Sequence, residues 1–112
     1  DTTRCPAPSC APYYAPVRRL EKRLFAVTDE IARLREVIRQ TEEELRVHQH
    51  LEDDAVRDAA VGGPIEREDA RETSRDVERF RWLVADLRAR VDRLHAKREA
   101  LLARLGDHQA EI

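Results

Sequence analysis

The chain has 112 residues, of which 39% are charged and 4% aromatic, with three glycines, five prolines and a net charge of -2. So much charge with so few bulky aromatics argues against a compact globular core and leaves a choice between long helices and disorder. No apolar run approaches the roughly 18 residues of a membrane span, and no block of like charge is long enough to serve as a nucleic-acid arm or membrane anchor.

Residues 1–16 carry Pro6, Pro8, Pro12 and Pro16. Such spacing predicts an extended, polyproline-like tail. From Val17 to Val61 neither Pro nor Gly occurs, and this stretch reads as heptads. Val17, Leu24, Ile31, Ile38, Leu45 and Glu52 take position a, while Leu20, Val27, Leu34, Thr41, His48 and Ala55 take position d. Residues 62–64 form a break of Gly62, Gly63 and Pro64. A glycine there is expected to end the first helix in the left-handed conformation, and Pro64 suits a first helical position.

The second run, residues 65–106, is again heptadic. Ala70, Val77, Val84, Val91, Arg98 and Leu105 are a; Thr73, Phe80, Leu87, Leu94, Leu101 and His108 are d. Gly106 ends the run, and residues 107–112 are read as a C-terminal end. Phase is kept without a stutter through both stretches, as a coiled coil requires and disorder does not produce.

A break of three residues implies antiparallel neighbours. In such a pair, a residues face d residues, and pairs whose numbers sum to 125 satisfy this throughout: Leu24 with Leu101, Ile31 with Leu94, Leu34 with Val91, Thr41 with Val84, and His48 with Val77. Half of 125 falls between Gly62 and Gly63. Turn and heptad phase therefore agree independently. The predicted fold is all-α, two long helices in an antiparallel coiled-coil hairpin able to dimerise into a four-helix bundle. Flanking charges predict Glu30 near Lys97 and Glu42 near Arg81. Thr41 and Thr73 are expected to return their hydroxyls to the backbone, and Arg98 to run along the seam with its head in water.

Apolar residues off the seam mark the candidate surface. Val37, Leu51 and Leu83 share one flank, position g, and Trp82 stands at f, away from the partner helix. Arg79 lies one turn from Trp82. Single exposed apolar residues are common, but an aromatic anchor beside a half-covered seam predicts an interface. Cys5 and Cys10 are the only cysteines; with His108, which the register places level with Val17, they make three zinc ligands at most, so no metal site and no cofactor is expected.

Catalytic constellations are missing: no phosphate loop, no paired histidines on a helix face, no nucleophile elbow. The expectation is a non-enzymatic protein-interaction module in the cytoplasm, binding itself, another protein, or both, with no membrane or nucleic-acid partner. One alternative stands beside it. Glu52, Asp53, Asp54 and Asp58 precede the turn and Glu66, Glu68 and Asp69 follow it. In architecture alone this resembles bacterial transcription factors of the Gre and DksA type, which carry acidic residues at the end of a coiled-coil hairpin. The resemblance implies a transcription regulator that contacts RNA polymerase or a sigma factor. Arg75, Asp76 and Arg79 beside Trp82 add a ligand-responsive variant, similar to nucleotide-sensing anti-sigma proteins of coiled-coil form.

Overall fold

The computed structural model describes residues 7–110, with side-chain surroundings from 15 to 108. Two helices account for it: α1, Ala7–Val61, and α2, Pro64–Ala110. They pack against each other as an all-α hairpin, with no strand among the described residues.

Burial follows the heptads. Among the described residues every fully buried one lies at a or d: Leu20, Val27, Ile31, Thr41, Val77, Val84, Leu87, Val91 and Leu101. Every other a or d residue named above is half-buried. An apolar stripe repeating at 3.5 residues can be hidden along two helices only if they pair in the phase it dictates.

The chain divides into two compact units, Asp1–Arg33 with Asp92–Ile112, and Leu34–Val91. The division pairs 33 with 92 and 34 with 91, levels that the sum of 125 also pairs. In the first unit, Leu20 and Leu101 are the most buried side chains, at 3% and 2% exposure. Arg98 is half-buried there, its guanidinium 3.6 Å from the Glu99 carboxylate, consistent with an apolar stem on the seam and a head in water. The second unit contains the turn. Its most buried residue is Val77, and Thr41 sits in the same seam with its hydroxyl donating to the Val37 carbonyl at 2.7 Å. Thr73 likewise donates to the Asp69 carbonyl at 2.7 Å. For Thr41 this avoids the cost of burying an unpaired donor.

The helix boundaries differ from the sequence reading at both ends. α1 begins at Ala7, so residues 7–16 are helical where an extended tail was expected; residues 1–6 lie outside the described residues. Pro8 falls in the first turn, where an N–H has no acceptor in any case. Pro12 and Pro16 leave the Pro8 and Pro12 carbonyls without their usual donors, two rungs on one row, and the other rows of the ladder remain available. α2 runs through Gly106 to Ala110. His108 at d is half-buried, level in the register with half-buried Val17, so one more seam position extends the helix beyond the glycine.

The turn also corrects an expectation. No described glycine has a positive φ, so neither Gly62 nor Gly63 ends α1 in the left-handed conformation. Gly62 is needed for closeness instead. A Cβ there would lie 2.6 Å from the Glu66 Cγ and 2.8 Å from the Asp58 carbonyl oxygen. Gly63 is the N-cap of α2. Its carbonyl accepts from the Arg67 N–H at 3.1 Å, and its own N–H donates to Glu66 Oε2 at 2.8 Å. This is the return half of a capping box, with Pro64 at the first helical position.

Substitution should separate the two glycines. Gly62→Ala is expected to destabilise the hairpin by about 1–3 kcal/mol through overpacking. Gly63→Ser, which supplies the missing cap hydroxyl, should be neutral or add a few tenths of a kcal/mol. Thermal melts followed by circular dichroism check both.

Candidate interaction surface

Helix faces position the candidate residues, and their exposure agrees with the heptad assignment. Val37, Leu51 and Leu83 at g are 41%, 51% and 45% exposed, and Trp82 at f is 74% exposed. All four belong to the unit Leu34–Val91, as does exposed Arg79. They are not brought together as one pocket. Trp82 lines a shallow groove of about 590 Å³ on the outer face of α2 with Glu72, Arg75, Asp76, Glu78 and Arg79. None of Val37, Leu51 or Leu83 lines it. The surface is thus an apolar flank beside the seam and a Trp-and-arginine groove behind it.

Charges in that groove are mostly matched within α2. Arg79 pairs with Asp76, and Arg81 with Glu78 at 3.2 Å. Arg75 reaches Glu68 at 3.5 Å, and Arg71 reaches the same carboxylate at 2.9 Å. The Arg71 hydrogen bond, with its charge and that of Arg75, holds the Glu68 carboxyl below the usual range. Around Glu36 the Arg39 hydrogen bond does the same, and Arg39 is raised in turn by Glu36 and Glu43. Both carboxylates being depressed, the contribution of these pairs is fully present above the ordinary carboxylate pKa and is lost as pH falls below it. They are exposed helix-surface pairs, mostly with the acid N-terminal to the base, an order that favours the helix.

Between the helices, one side-chain contact differs from the simple expectation. Arg88 donates to Glu42, where Arg81 was expected. On the e flank of an antiparallel pair, Glu42 lies between Arg81 and Arg88; Arg81 is engaged by Glu78 one turn away, and Arg88 takes the carboxylate. Glu30 pairs with Arg33, while Glu30 and Lys97 line one shallow groove with Val27 and Leu94. His48 stacks on the Phe80 ring, centroids 4.5 Å apart and planes 25° apart. That places the imidazole over an aromatic neighbour one layer from Val77, a packing role at a seam position.

Cys5 and Cys10 fall among residues whose side chains are not described, so the candidate set with His108 lies partly outside them. Among the described residues no group of three or more His, Cys, Asp or Glu could hold a metal ion. No described helix is long and apolar enough to cross a membrane.

Two exposed apolar residues escaped the sequence reading. Val61 and Ile65 flank the turn and are 90% and 76% exposed. Continuing the heptads to the turn places both at c, facing away from the partner helix, which is the signal that could have found them.

No protein-family model, no curated protein and no solved structure matches this chain.

Trp82→Ala tests the placement of the candidate surface. With three-quarters of the side chain in solvent, the substitution should leave helicity unchanged and stability within about 0.5 kcal/mol. A loss of several kcal/mol in a chemical denaturation series would mean that Trp82 is packed.

Proposed function

We propose that this hairpin is a non-enzymatic protein-interaction module that associates with a second copy through the Val37, Leu51 and Leu83 flank, with Trp82 and Arg79 at its edge. The observation that carries the reading is the exposure of that flank beside a seam already consumed by intrachain pairing. Two helices cover each other's a and d positions and leave the g flank half in water. A second hairpin laid along it completes the burial, as in a four-helix bundle. Both flanks also carry charged residues, but within Leu34–Val91 the opposite flank has Val56 as its one large apolar residue, against three here.

A second reading, a transcription regulator contacting RNA polymerase or a sigma factor, rests on the carboxylates around the turn. The two are separable, because self-association survives neutralised turn acids and binding to RNA polymerase or a sigma factor does not.

Light scattering after size exclusion tests the first reading. Wild type should have twice the 13.0 kDa chain mass, unchanged by reductant. Leu51→Glu with Leu83→Glu should return it to the monomer mass with helicity retained. A wild-type monomer at all accessible concentrations, or a dimer abolished by reductant, would contradict the flank assignment.

A further inference from the structure

The turn holds a pair of apolar side chains that folding does not use. Val61 ends α1 and Ile65 opens α2, and they are among the most exposed large hydrophobic residues described. Turn positions normally carry small or polar residues with a conformational reason to be there. Here those reasons are met by others. Gly62 allows the close approach of the Asp58 carbonyl and Glu66, Gly63 is the cap whose N–H Glu66 takes up, and Pro64 starts the helix. Val61 and Ile65 add nothing to the seam, because both stand at c.

Their setting is strongly acidic. Residues 52–69 hold seven carboxylates, Glu52, Asp53, Asp54, Asp58, Glu66, Glu68 and Asp69, against Arg57 and Arg67, a net of -5 in a chain whose total is -2. Glu66 is engaged in the cap, Glu68 in the Arg71 and Arg75 pairs, and Asp54 in a pair with Arg57 at 3.4 Å. Asp58, one turn before Val61, and Asp69, one turn after Ile65, are exposed beside the apolar pair, and Asp53 is exposed farther along α1.

We infer that the turn is a second docking surface, in which Val61 and Ile65 insert into an apolar pocket with a basic rim on a different protein. Charge decides the occupant. A second copy of this turn would bring two surfaces of net -5 together, and nucleic acid or an anionic lipid surface would be repelled in the same way. A protein rimmed by Lys and Arg is attracted over the Debye length and oriented by the carboxylates, while the aliphatic pair supplies the apolar contact. The capped turn presents the pair already ordered, so little conformational entropy is lost on docking. Val61 and Ile65 stand at c and outside the g flank, so the apolar contact is separate from the self-association proposed there, while Asp58 and Asp69 lie at the turn end of that flank.

Photo-crosslinking followed by affinity measurement tests the inference. A benzophenone amino acid is placed at Val61, and at exposed Val47 as control, in cells of the source organism; the adduct specific to position 61 is identified and that protein purified. Calorimetry against wild type should then show binding that weakens with salt. Val61→Ser with Ile65→Ser should lower affinity at least tenfold with an unchanged melt. Asp58→Asn with Asp69→Asn should lower it severalfold and flatten the salt dependence, and Trp82→Ala should leave it unaltered. The inference is overturned if position 61 gives no adduct above the Val47 control, if the adduct is a second copy of this chain, or if the purified protein binds the Val61→Ser, Ile65→Ser variant as well as wild type.

Discussion

Everything in this molecule depends on one constraint: apolar side chains repeat every three and four residues along two helices that are otherwise charged. Neither helix can hide that stripe alone. In isolation such sequences are marginal helices in water, and packing of the stripe is what makes them persist. Antiparallel pairing at the sum of 125 brings each a residue to a d residue, and the burial of Leu20, Val27, Ile31, Val84, Leu87, Val91 and Leu101 is the result. The turn serves the same constraint. Gly62 leaves room for Asp58 and Glu66 to approach, and Glu66 secures the start of α2, so the register is set where the chain reverses.

The seam is not uniform. No residue between Leu45 and Asp76 is fully buried, while five residues of the same unit at its other end are. His48, Glu52, Ala55, Ala70 and Thr73 supply too little apolar bulk to close the seam near the turn. At the reversal itself the chain is fixed by the Gly63–Glu66 cap, and His48 stacks on Phe80 farther along the seam. Such a region opens locally at lower free energy than one with a dry seam.

How much was legible beforehand follows from the physics of each feature. Heptad phase could be read because burial at a and d repeats often enough to average over exceptions such as Arg98. The partner of Glu42 could not, because an e flank offers it an arginine on either side and only the competing Glu78 decides between them. Gly62 was recognisable as a turn residue, but glycine serves either a positive φ or a close approach, and composition does not say which. The early start of α1 was hidden because proline spacing lowers helix propensity without stating the balance of the remaining rungs. The exposure of Val37, Leu51, Leu83 and Trp82 was legible from heptad position alone. What covers them was not, since an uncovered surface specifies the chemistry of its partner only loosely. Val61 and Ile65 are less legible, because a Gly-Gly-Pro break interrupts the heptads and exposure beside it follows only when the repeat is carried through to the c positions.

The register is the central claim, and directed crosslinking tests it most directly. In a background with Cys5 and Cys10 replaced by serine, Glu30→Cys with Lys97→Cys and Glu30→Cys with Arg90→Cys are each treated with a short bismaleimide at low protein concentration. The hairpin predicts faster closure of the 30/97 pair within one chain, at the 13.0 kDa mass, than of the 30/90 pair, whose second cysteine lies one heptad farther along the same flank. Preferential closure of 30/90, or a 30/97 product only at twice that mass, would contradict it.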